Sequence, residues 1–296
     1  MSFDNAYEAL TTTEPGGESR WAFGTGFDDP LSGVDTALPD GVDGTALARY
    51  CLMLGDDALI ASQRLTEWVT RSPELEDELA LANIALDLLG QARLLLARAG
   101  QSDGSGRSED ELAYFRDERE FRNVRLVEPP NGDFAQTIAR LLVFSTWRLA
   151  LLAGLTESRD PVLAAIAAKG VKELAYHREY AARWTVRLGD GTAVSHVRMQ
   201  HGLDQVWPLV DELFVPNATD REMVGAGVGI DPAQTRAEFD DVLEQVFAAA
   251  TLRRPDRSGL AGVAGRTGRD GIHTEHLGFL LAELQSLARA HPEATW

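Results

Sequence analysis

Four long segments of this chain repeat their apolar residues every three to four positions, and no segment shows the strict alternation of a half-buried strand. That pattern restricts the fold to packed helices. The first segment, 46–71, has Leu47, Leu52, Leu59, Leu65 and Trp68 among its apolar positions. The second, 73–99, is apolar almost all round from Leu79 to Leu96, which predicts a helix buried on every side. Its polar exceptions, Asn83, Asp87 and Gln91, form a stripe at steps of four. The third and fourth cover 134–157 and 161–188. Segments of about 24–28 residues give helices roughly 36–42 Å long.

The ends of these segments carry their own signals. Ser72 is placed to cap the second helix with Pro73 at its first position, and Glu74, Glu76, Asp77 and Glu78 suit the positive end of the helix dipole. Asp133 is placed to cap the third, and Asp160-Pro161 caps and opens the fourth. The turn from Gly189 to Thr192 stops it. Short turns join the first helix to the second and the third to the fourth, whereas a long connection holding a short helix at 109–117 joins the second to the third. An all-α, ferritin-like four-helix bundle with one crossover satisfies this order.

The remainder is helical in parts. Residues 195–214 read as a helix kinked at Pro208, 216–231 as a loop, and 232–250 as a helix opened by Asp231-Pro232. The Arg- and Gly-rich stretch 252–272 reads as a surface wrap, and 274–290 as the last helix. Gly225, Gly227 and Gly229 follow no strand, so they form no nucleotide fingerprint. Trp147, Trp184 and Trp207 read as core or interface anchors. Residues 1–45 hold nine acids against one base, Arg20, and show no helical period. They read as an acidic, disordered extension, which leaves 46–296 as the ferritin-like domain.

Charge narrows the function. The net charge is −18, which argues against a nucleic-acid partner, since phosphate binding needs clustered bases. Of the 28 basic residues only Lys169 and Lys172 are lysines. Acidity with so little lysine resembles proteins adapted to high salt; a GC-rich genome, favouring Arg codons, gives the same bias. The single cysteine, Cys51, provides neither an internal disulfide nor a thiolate cluster. No apolar run long enough for a membrane span and no signal-like N-terminus stand out, so a cytoplasmic protein is expected.

Glu173 and His177 share a face of the fourth helix. Ferritin-like dimetal proteins take one Glu from each of two helices and Glu-x-x-His from each of the other two. Tested against that template, the first helix offers Asp56 or Asp57. The second offers Asp87, with Gly90 where a histidine belongs. The third offers no acid between Asp133 and Glu157. The fourth offers Glu173, with Tyr176 in the histidine position and His177 one residue later. One acid and both histidines are missing, so the fold of a dimetal oxygenase is expected without its metal site. Asp56, Asp87, Glu173 and His177 then read as the remnant of a ligand set. Lys169 lies four residues before Glu173 and Lys172 adjoins it. Either a Lys or Arg cation replaces the lost metal charge, with Lys169 and Lys172 the candidates, or these are exposed pairs. The run HTEH, with His273 and His276 flanking Glu275, reads as a helix start or interface rather than a metal site.

Several runs resemble the C subunit of ring 1,2-phenylacetyl-CoA epoxidase. These are SQRLTEW at 62–68, LALANIALDLLGQAR at 79–93, FRDEREFRN at 115–123, EPPNGDFAQTIAR at 128–140, ESRDPVLAAIAAKGVKELAYH at 157–177, RLGDGT at 187–192 and HTEHLG at 273–278. They occur in order and cover nearly all of the chain after residue 46. The resemblance implies a multicomponent monooxygenase of aerobic phenylacetate breakdown, which inserts one oxygen atom of O2 into the ring of phenylacetyl-CoA. It implies a ferritin-like A subunit holding di-iron and the acyl-CoA, and a small bridging B subunit. It also implies a reductase with FAD and iron–sulfur that draws electrons from NADPH. The C subunit is the structural partner of A, without a cofactor of its own. Two other readings stand beside it: an independent di-iron oxidase using Asp56, Asp87, Glu173, His177 and Glu275, and an acyl-CoA-binding module.

Overall fold

The computed structural model describes residues 31–294. Four long helices carry the architecture: α1 (Gly44–Thr66), α2 (Leu75–Ser102), then, after the short α3 (Glu109–Tyr114), α4 (Phe134–Leu155) and α5 (Pro161–Gly189). α1 packs along α2, α4 along α5, and α2 joins the two pairs by packing on α5. The crossover from α2 to α4 sends a 3-10 turn, Arg125–Val127, against both α1 and α4. This is the ferritin-like bundle expected from the helical periods and connection lengths.

Local chemistry fixes the starts of the helices. Asp43, Asp133 and Asp160 each accept a backbone N–H from the first turn of the helix that follows, at 2.8, 2.9 and 2.8 Å, satisfying donors that have no partner inside the helix. Ser72 does not cap α2. Its hydroxyl donates back to the Trp68 carbonyl at 3.2 Å, and the helix begins at Leu75, past Pro73.

Further helices surround the bundle. α6 (Ala193–Val206) packs on α4, α7 (Ala218–Gly225) on α1, α8 (Arg236–Ala249) on α4 and α5, and α9 (Glu275–Ala290) on α3. The expected helix over 195–214 is shorter: it stops at Val206 and continues as two 3-10 turns, Trp207–Leu209 and Asp211–Phe214. Pro208 accounts for the break, having no N–H to continue the ladder. The expected loop 216–231 contains α7, opened by an Asn217–Asp220 capping box. Among the described residues the one β contact is an isolated bridge between Val263 and Arg266.

α2 is not buried on every side. Leu75, Leu79 and Leu86 are 67, 57 and 56% exposed and share one face. By length and composition alone α2 and α4 are both apolar enough to cross a bilayer, against the sequence expectation. α4 owes its composition to being the bundle's core helix, whereas α2 presents apolar surface outward. Of the acidic extension expected over 1–45, residues 1–30 lie outside the described residues. The part that follows is held: Leu31, Val34 and Val42 pack on the core, and Arg98 donates to the carbonyls of Thr36 and Ala37.

Candidate functional site: the charged centre of the bundle

α4 is the most apolar helix of the bundle, yet it carries Arg148 in its middle with no exposed side-chain surface. Its Nε donates to Gln91 Oε1 on α2 at 3.0 Å. Gln91 Nε2 donates to Glu173 Oε2 on α5 at 2.9 Å. Arg148 Nη1 lies 4.0 Å from Asp57 Oδ2 on α1, itself fully buried. Each long helix thus supplies one polar group to the same place. Burial pulls the Arg148 pKa down to about 10, while Asp57 and Glu173 act to hold its charge. Burial pushes the Asp57 carboxyl up, and Arg269 and Arg148 pull it back.

Arg269 comes from the stretch that the sequence assigns to the surface. It binds Asp57 through both Nη atoms, and Val124 N–H donates to the same carboxylate at 2.8 Å. Asp56 faces the crossover instead: Arg116 Nη1 donates to it at 3.0 Å and the Arg122 N–H at 2.8 Å. Arg116 lies over the Phe121 ring, 4.2 Å from its centroid. Glu128, also buried, accepts from Asn123 at 2.9 Å and from the Thr274 N–H at 2.7 Å, and His273 Nδ1 lies 2.7 Å away. The HTEH run therefore anchors the start of α9.

The other expected residues fall in a second place. His177 is buried and its Nε2 lies 3.0 Å from Asp87 Oδ2, while the Asp87 side chain is 37% exposed. His177 Nδ1 has no hydrogen-bond partner among the described residues. Lys169 bonds Glu173 from the outside with 43% of its side chain exposed, and Lys172 is exposed. Neither lysine enters the bundle centre. Glu275 sits in the first turn of α9 and is exposed, remote in role from the bundle carboxylates. The five residues of the di-iron reading are thus divided among Arg116, the Asp87–His177 contact, the Gln91–Glu173–Lys169 chain and the surface.

Sequence reasoning passes over Arg148, Asp57 with Arg269, and Glu128 with His273. The one signal available for Arg148 is its place in an otherwise apolar helix. The dimetal template asks for metal donors, and an arginine is not one. A dimetal centre does not fit these groups. Its four positions are met by one carboxylate bound to arginine, one amide, one guanidinium and one carboxylate shared with a lysine. Among the described residues no group of three or more His, Cys, Asp or Glu has the placement to hold a metal.

Residues 35–296 match the family described as phenylacetic acid catabolic protein. The chain is 48% identical over 254 residues to the C subunit of 1,2-phenylacetyl-CoA epoxidase of Escherichia coli (strain K12), an alignment covering 84% of this chain and 99% of that protein. A match of this length, running through all four bundle helices and the C-terminal arm, places the chain in the phenylacetic acid catabolic protein family, to which it belongs.

Proposed function

We propose that this chain is the structural, non-catalytic subunit of a monooxygenase that epoxidises the ring of phenylacetyl-CoA. The observation that carries this reading is its near-full-length identity to the C subunit of such an epoxidase. The arginine-filled bundle centre supports it, because the carboxylates that would hold iron are engaged by other side chains. In this reading the di-iron and the acyl-CoA belong to an A-type subunit, a small B-type subunit bridges assemblies, and a reductase with FAD and iron–sulfur delivers electrons from NADPH in the cytoplasm. The role of this chain is to hold the A-type subunit in a productive form. Its exposed leucines on α2 give the isolated chain apolar surface to cover.

Co-expression with an A-type chain, purification of the complex and assignment of iron to one of the two chains test this. Iron in the A-type chain, with NADPH-dependent turnover of phenylacetyl-CoA, once the B-type subunit and reductase are added, only when both chains are present, is the expected result. Near-stoichiometric iron in this chain alone, with an oxo-bridged di-iron absorption, would establish the independent oxidase instead. A monodisperse, unaided monomer that does not bind the A-type chain would also count against the structural role.

A further inference from the structure

Asp57, Gln91, Arg148 and Glu173 come one from each of the four long helices; Asp57 and Gln91 face the Arg148 guanidinium directly, and Glu173 is linked to it through Gln91. Arg148 and Asp57 have no exposed side-chain surface. Both Arg148 Nη atoms are buried without a hydrogen-bond partner among the described residues, so the positive charge is held more by the field of two acids than by direct hydrogen bonds. An arginine in such a place is costly to bury, and a neutral residue on α4 would avoid the cost. What a neutral residue would leave is Asp57 and the Gln91–Glu173 pair with less positive charge near them.

We infer that the bundle centre is a cation site and that Arg148 is its permanent occupant, a guanidinium carried on the chain. The ligand class is a planar monovalent cation. Gln91 Oε1 accepts from Nε–H, Asp57 on α1 lies 4.0 Å from Nη1, and Glu173 on α5 is linked through the Gln91 amide. Arginine keeps its charge at every physiological pH, so proton release never empties the site. A divalent ion entering here would have to displace a like charge that is tethered to α4. The inference concerns this chain alone and holds whether or not the chain serves an epoxidase.

Replacing Arg148 with alanine removes the cation and leaves space of its shape. Full-length Arg148→Ala is compared with the unaltered chain by thermal unfolding, in millimolar guanidinium chloride and in sodium chloride of equal concentration. The expected result is a fall in Tm on the order of 10 °C, of which guanidinium restores half or more and sodium restores none. The unaltered chain should gain nothing from either salt. Equal effects of the two salts on the variant, or no fall in Tm, would overturn the inference. If Arg148→Ala does not fold, Arg148→Met is measured alone and with Glu173→Gln. Losing the arginine should cost markedly less Tm once Glu173 is neutral, and an equal loss in both backgrounds overturns the inference as well.

Discussion

Arg269 grips Asp57 with both arms of its guanidinium, Nη1 to Oδ1 at 3.0 Å and Nη2 to Oδ2 at 2.8 Å. Nη1 also donates to the carbonyls of Met53 and Arg122 at 2.9 and 2.8 Å. One side chain from the C-terminal arm therefore ties together α1 and the crossover.

Removing that side chain strands a buried carboxylate. Arg269→Met should cost about 3–5 kcal/mol of stability, the range for breaking a buried pair from one side. Chemical denaturation of the full chain measures it. A loss below about 1 kcal/mol would mean that Arg148 alone neutralises Asp57.

Glu128 is fully buried and accepts from Asn123 and from the Thr274 N–H, with His273 Nδ1 2.7 Å away. Glu128→Ala should cost about 2–4 kcal/mol, because it leaves the buried Asn123 amide and the half-buried Thr274 N–H without their acceptor. Hydrogen exchange should quicken at the start of α9 before it does in the bundle helices.

Asp220 gives a pH dependence with a definite sign. Burial pushes its carboxyl above the usual range, and the Asn217 backbone N–H pulls it back. A carboxyl whose pKa is higher folded than unfolded favours the fold while protonated, and that contribution is lost as pH rises from the ordinary carboxylate value through the raised one. Asp220→Asn keeps an oxygen to accept from Asn217 N–H and never ionises. The variant's Tm relative to the unaltered chain should rise through this window. A difference independent of pH would refute the assignment.

Gly202 is a point of close approach between α6 and α4. A Cβ there would lie 2.8 Å from Gln136 Cα and 2.9 Å from its N. Those are backbone atoms at the start of a capped helix and cannot swing aside. Gly202→Ala should destabilise by about 1–3 kcal/mol despite alanine's better helix propensity, a result opposite in sign to the same change at an open helical glycine such as Gly90.

Leu79 and Leu86 contribute little inside the chain. Leu79→Asp and Leu86→Asp should each change stability by no more than about 0.5 kcal/mol while reducing self-association of the isolated chain, read by light scattering. A large loss of Tm would show that this face is packed within the fold.

The helix starts are legible in the sequence because capping is local: Asp133 and Asp160 act on residues three positions away. Ser72 misleads for the same reason, since the Trp68 carbonyl is an equally local partner. In α7 the glycines that follow obscure the Asn217–Asp220 box. The exposed leucines of α2 look like core in the sequence, because composition does not say which neighbour covers a helix face. The Glu173–Lys169 contact follows from spacing on one helix, whereas Asp57–Arg269 joins residues 212 apart and leaves no local trace. The distribution of charge in the bundle centre is therefore written in pairings that no window of sequence contains.

That separation has a consequence for synthesis. At about 5–20 residues per second, α1 emerges roughly 10–40 s before Arg269 does. All four bundle helices are made while Asp57 has only the Val124 N–H and the more distant Arg148 to face it, and a carboxylate short of partners resists burial. The interior around Asp57 is thus completed only once Arg269 has been made, so the segment that carries it acts as a clasp fastened after all four bundle helices have been synthesised.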